Sequence, residues 1–150
     1  ALAGIGSAVA VFPVARKVGE ARALERAIAY AKERVVFDRP IGQNQAIAHP
    51  LADSYSELVA AELLWQKAAW TYDRGEPAGP LAKMAKIRCA DASFRACDRA
   101  LQTLGGFGYA REYHVERYWR EALLMRIAPI SQEMALNFVA EHVLELPRSY

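Results

Sequence analysis

Along most of this chain apolar side chains recur at steps of three and four residues, the spacing that puts them on one face of an α-helix. From Pro13, the series Val14, Val18, Ala21, Leu24, Ile28, Ala31 and Val35 forms one such stripe. Pro13 suits a first-turn position, and Asp38-Arg39-Pro40-Ile41-Gly42 breaks the pattern, so a first helix is expected from Pro13 to about Phe37. A second is expected from about Gln45 to Asp73, with Pro50 tolerable near its start. Its apolar positions, among them Leu51, Tyr55, Leu58, Val59, Leu63, Trp65, Trp70 and Tyr72, nearly encircle it. That pattern marks a central helix, or one covered on a second side by another subunit. Residues 74–80, with two glycines and two prolines, read as a loop. The third helix, about Leu81 to Leu104, carries Met84, Ile87, Ala90, Phe94, Cys97, Leu101 and Leu104 at a spacing close to that of a bundle seam. Two shorter helices follow, about Val115 to Met125 and Ser131 to Val143, before a tail that reads as extended. With no strand pattern and no internal repeat, the expected fold is all-α: an antiparallel up-down helical bundle, four-helix-bundle-like, with three long helices and two shorter ones.

A length of 150 residues suits one domain with its own core. The net charge of +2 comes from 19 basic and 17 acidic residues without a basic run, which argues against nucleic acid as a partner. The stretch from Ala1 to Ala15 carries no acidic residue and no basic one. It is shorter than the ~20 residues a membrane span needs, lacks the basic start of a secretory signal, and reads as a packed lead-in. Together with the second helix it offers more apolar surface than one bundle easily hides, so a homo-oligomer, dimer or tetramer, is expected. Cys89 and Cys97 lie too far apart along one helix for a bridge and read as reduced core residues of a cytoplasmic protein. His49, His114 and His142 are scattered, without metal-ligand spacing.

One stretch interrupts the helical periodicity: Gln102-Thr103-Leu104-Gly105-Gly106-Phe107-Gly108-Tyr109. Glycines allow backbone N–H groups to converge on an anion at close range. The Gln102 amide adds a donor and an acceptor, and a helix starting near Val115 would aim its N-terminus back at the turn. The plainer reading has Gly105 closing a helix in the left-handed conformation and Gly106 opening a loop. A helix precedes the glycines, so this is not the dinucleotide fingerprint, which follows a strand.

These residues resemble a family. The string from Tyr30 to Gln45 looks like the acyl-CoA dehydrogenase segment R-x-x-F-G-x-x-I-x-x-x-Q, and Gln102 to Tyr109 matches that family's Q-x-x-G-G-x-G-Y. Arg120-Glu121-Ala122 followed by Arg126-Ile127 is similar to its R-D-A…R-I, and order and spacing agree from about residue 19 to residue 150. The resemblance implies the C-terminal helical-bundle domain of an FAD-dependent enzyme that dehydrogenates acyl-CoA thioesters at the α,β bond. Residues 1–150 then form one such domain with a divergent lead-in at 1–18, and the family's N-terminal helical and middle β domains have no counterpart here. In the family this domain forms dimers and tetramers and embraces the FAD of a neighbouring subunit. Carried over by position, Arg34 meets the FAD pyrophosphate, which a permanently charged guanidinium can hold bidentately. Its plainer role is that of a cation at the end of its own helix. Phe37 offers the cofactor an apolar surface, against a plain core role. Gln45 and Gln102 hydrogen-bond the cofactor, against loop capping. Gly105 and Gly106 let the backbone approach the ADP portion.

The chain also departs from the pattern. The family's catalytic glutamate lies in R-I-Y-E-G-T, whereas this chain reads Arg126-Ile127-Ala128-Pro129-Ile130-Ser131-Gln132, with Pro129 at the glutamate position. The alternative base position of some members falls at about Ala8. Glu133, four residues past Pro129, reads as a solvated carboxylate, and Ser131 and Gln132 match the family's T-S-Q only with a gap. No catalytic residue is assigned. Asp38 replaces a glycine and would repel a pyrophosphate unless Arg34 or Arg39 neutralises it. The chain alone is therefore expected to be colourless and inactive, acting on acyl-CoA only with the missing domains or a partner chain that supplies them. The alternative is a catalytically silent bundle used for self-association or partner binding.

Overall fold

The computed structural model describes residues 21–148, so the lead-in and the expected start of the first helix at Pro13 lie outside the described residues. Five helices of more than one turn follow: α1 (Ala21–Glu33), α2 (Gln45–Asp73), α3 (Gly79–Leu104), α4 (Val115–Ile127) and α5 (Gln132–His142). The long helices run as the apolar periodicity predicts, and α2 begins and ends at the expected residues.

The central helix is α3, which packs against α1, α2, α4 and α5. Of the two roles expected for α2, central or covered on a second side by another subunit, this corrects the first. The reason lies in small residues, which a count of large apolar side chains overlooks. Ala82, Ala85, Cys89, Ala92 and Ala96 are buried along α3 together with Ile87, Cys97, Ala100 and Leu104, so neighbours can approach it from more than one side. The Cys89 thiol donates to the Ala61 carbonyl of α2 over 3.4 Å. Both cysteines are buried and neither forms a disulfide. On α2 the buried positions are Leu51, Ser54, Ala61, Ala68 and Thr71, while Tyr55, Val59, Leu63 and Trp70 are exposed on the outer face. The main core joins α1, the second half of α3 and α4 through Leu24, Cys97, Leu104, Val115 and Tyr118.

The first helix stops at Glu33, four residues before the expected end, and the chain makes a short antiparallel hairpin that the all-helical expectation omits. Its strands are β1 (Val35–Val36) and β2 (Arg39–Pro40), with Val35 opposite Pro40 and Val36 opposite Arg39. Two adjacent β-branched residues favour the extended backbone. The turn between them holds Phe37 at φ 52° and Asp38 at φ 60°. Positive φ at both central residues gives a two-residue turn the twist that hairpin strands need. The Ile41 N–H donates to the Arg34 carbonyl over 2.9 Å, closing the hairpin's base. A 3-10 turn (Ile41–Gln43) then leads into α2, lying so close to α1 that a Cβ on Gly42 would stand 2.9 Å from the Ala31 carbonyl oxygen.

Candidate functional site

Three local features bring the sequence motifs to one end of the bundle. The ring of Tyr30, one turn before Arg34, meets Phe107 edge-on at 6.0 Å, and Phe107 packs on Tyr113 at 5.1 Å. This ties the end of α1 to the glycine turn. Arg99, one turn before Thr103, reaches across to the first third of α2: it pairs with Asp53 at 2.8 Å and donates to the buried Ser54 hydroxyl at 3.1 Å and to the Pro50 carbonyl at 3.4 Å. That ties the end of α3 to the start of α2. The hairpin extends from this same end.

The glycine turn itself has two different demands. Gly105 ends α3 at φ 58° and ψ −130°, its N–H shared between the Leu101 and Gln102 carbonyls at 3.1 Å each. Its φ favours glycine, although its ψ is not that of a left-handed helix. Gly106 does not open a loop, as the plainer reading has it, but starts a single helical turn, Gly106–Tyr109. That turn presses so tightly on α3 that a Cβ on Gly108 would lie 2.5 Å from the Leu101 carbonyl oxygen. Around Gly106, in contrast, a Cβ would meet nothing within 4 Å. Within the described residues nothing demands glycine at position 106.

The other candidates are placed as follows. Arg34, Phe37, Gln45 and Gln102 are all exposed, and among the described residues none of their side chains makes a hydrogen bond or ion pair. Phe37, 93 % exposed, is not a core residue. Gln45 opens α2 and Gln102 lies in the last turn of α3, yet neither supplies a side-chain cap, which removes their plainer role. Asp38 is exposed as well and forms no ion pair among the described residues, while the Arg39 guanidinium donates to the Asn44 amide oxygen over 2.8 Å.

The corner between α4 and α5, where the family's base would sit, is built differently. Pro129 is exposed. Next to it, the buried Gln132 amide donates to both oxygens of Asp91 at 2.9 Å. Arg126 donates to the Gln132 oxygen at 3.1 Å and lies 3.4 Å from Asp91, with its guanidinium over the Phe94 ring. The Lys86 ammonium donates to the Arg126 carbonyl over 3.5 Å, and burial pushes its pKa down, against the pull of Glu133 and Asp91. The Ser131 hydroxyl caps α5 by accepting from the Met134 N–H at 3.3 Å. A hydrogen bond from its own backbone amide, then one from Ser131, holds the exposed Glu133 carboxyl below its ordinary value. The motif reading missed Asp91 and Lys86. Their signal was charge at semi-buried positions of a helix otherwise lined by alanine, cysteine and serine, where a charge needs a partner. Asp98 repeats the pattern, accepting from the Trp119 indole N–H at 2.9 Å.

Among the described residues no helix is long and apolar enough to cross a membrane. Comparison with known proteins adds the following. The family model described as acyl-CoA dehydrogenase, C-terminal domain, matches residues 13–144. Acyl-CoA dehydrogenase FadE12 of Mycobacterium tuberculosis is 50 % identical over 143 residues, covering 93 % of this chain and 37 % of that protein. The structure of butyryl-CoA dehydrogenase from Megasphaera elsdenii superposes with a TM-score of 0.87 at 34 % identity, covering 93 % of this chain and 36 % of that one. The FAD complex of PigA gives a TM-score of 0.79 at 27 % identity over 82 % of this chain and 32 % of that one. This chain thus spans 37 % of the length of the curated relative it matches. By the family-model match and the identity to FadE12, the chain belongs to the acyl-CoA dehydrogenase family and corresponds to its C-terminal helical domain.

Proposed function

We propose that this chain is the helical part of an FAD-dependent enzyme that dehydrogenates an acyl-CoA thioester at its α,β bond, and that its glycine-turn end supplies part of the flavin's binding surface. One observation carries this reading: Arg34, Phe37, Gln45 and Gln102 share one end of the bundle with their side chains unengaged among the described residues, beside a Gly106 with open space around it. The donor set fits the group. A guanidinium and a glycine backbone suit a pyrophosphate, two amides suit polar ring edges, and an exposed phenyl suits a flat ring. A flavin held there would supply the acceptor for the hydride that leaves the substrate's β-carbon.

The α-proton needs a carboxylate of suitable pKa within reach of it. The described residues at the α4–α5 corner do not offer one. Pro129 accepts no proton, and Glu133 is solvent-exposed with its carboxyl already engaged at the start of α5. The base, the acyl-CoA contacts and most of the flavin contacts then come from protein outside the described residues, and the isolated chain is silent. Mixed with FAD and gel-filtered, this chain is expected to elute colourless; co-eluting flavin would overturn that expectation. In a protein that joins it to the remaining domains, Arg34→Gln is expected to weaken FAD binding roughly tenfold, the worth of one charge-assisted hydrogen bond. Unchanged affinity would remove Arg34 from the site.

A second observation favours self-association alongside this role. Tyr55, Val59, Leu63 and Trp70 are exposed on the face of α2 turned away from α3. A dimer or tetramer in the cytoplasm, where buried thiols stay reduced, would cover this stripe. A monomer by light scattering at tens of micromolar would overturn it.

A further inference from the structure

Asp38 occupies the turn of the hairpin at a position where the family segment carries glycine. It sits at φ 60°, a conformation that aspartate tolerates better than most residues, so the backbone alone does not forbid it. Its charge has the larger consequence. Asp38 makes no ion pair among the described residues. Arg39, its neighbour, is turned to Asn44 at 2.8 Å. Arg34 stands at the base of the same hairpin, its carbonyl taken by the Ile41 N–H at 2.9 Å and its guanidinium without a described partner. Only three residues lie between Arg34 and Asp38, which keeps their Cα atoms within about 14 Å of each other.

We propose that Asp38 lowers the affinity of this end of the bundle for phosphate: its carboxylate opposes the same anion that Arg34 attracts, and so weakens the hold on the cofactor's pyrophosphate. The inference rests on the reading of Arg34 given above. The carboxylate acts through solvent rather than by contact, so its repulsion is smaller than the attraction of a guanidinium in direct contact, and salt screens it. Half-occupancy then requires a higher concentration of free FAD than it would with glycine in the turn.

Inorganic pyrophosphate is the probe, titrated into this chain while the backbone amide signals of residues 34–41 and 102–108 are followed by NMR. Asp38→Asn removes the charge and keeps a side chain that tolerates the left-handed region, so the melting temperature should stay unchanged. At low salt this variant is expected to bind pyrophosphate roughly threefold more tightly than the native chain, and the gap should close at high salt. Arg34→Gln should weaken binding. Equal or weaker binding by Asp38→Asn, with Arg34→Gln still weakening, overturns the role of Asp38 and leaves Arg34 in place. If Arg34→Gln changes nothing, or pyrophosphate moves none of these signals in either the native chain or Asp38→Asn, the reading of Arg34 falls as well.

Discussion

The glycine-turn end and the α4–α5 corner treat their polar side chains in opposite ways. At the corner, Asp91, Arg126 and Gln132 satisfy one another within 3.4 Å, Lys86 closes the end of α4, and Ser131 starts α5. At the other end Arg34, Gln45 and Gln102 reach into solvent without a described partner, and Phe37 stands almost wholly exposed at a positive φ. The corner is what a fold does with polar groups it must keep. The glycine-turn end leaves such groups in solvent, without a partner among the described residues. Substitutions should therefore cost stability in the first region and leave it unchanged, or raise it, in the second.

The sharpest test lies within the glycine turn, where both kinds of position occur two residues apart. Gly108→Ala drives a methyl into the Leu101 carbonyl and should cost about 3 kcal/mol, while Gly106→Ala should stay within about 0.5 kcal/mol of the native chain by thermal melting. Equal losses would mean that both glycines serve the fold. At the corner, Asp91→Ala strands the buried Gln132 amide and removes the partner of Arg126, for about 2 kcal/mol in urea unfolding. A loss near zero would place this triad among solvated surface pairs. Phe37→Gly should move the other way and stabilise the chain by about 1 kcal/mol, because it relieves a bulky residue at φ 52°. Destabilisation there would show that Phe37 packs on something in the chain. The smallest effect belongs to Glu133→Gln. The folded-state pKa of Glu133 lies below its ordinary value, so its contribution is present above the unfolded pKa and lost as pH falls through the folded one. The melting curves of native chain and variant should differ slightly near neutral pH and converge in acid.

How far the sequence foretells these regions depends on what each is made of. Large apolar side chains at helical spacing marked α2 and the end of α3 at Leu104 closely. The same spacing misplaced the end of α1, because Val35 continues the stripe of Leu24, Ile28 and Ala31, and a two-residue strand is too short to show its own alternation. Phenylalanine carries no turn signal, so the positive φ of Phe37 was not readable. The large apolar residues encircling α2 suited either a central helix or one covered by another subunit, whereas the alanines of α3, which let several helices meet on one, gave no such signal. Arg34, Gln102 and the glycines could be singled out because family spacing marks them. Asp91 and Lys86 belong to no motif, and only contact with Arg126 and Gln132 reveals their use.

The alanine lining of α3 makes its distance from α2 a mechanical setting. Where Cys89 and Ala92 face Ala61, the two backbones come close enough for a thiol to touch a carbonyl. A branched residue there, such as Ala92→Val, would act as a wedge, prising the rods apart at mid-length and swinging their far ends. The hairpin tip and the first turn of α2 would then move relative to Gly106, and the glycine-turn end would lose its alignment through two added carbons it never touches.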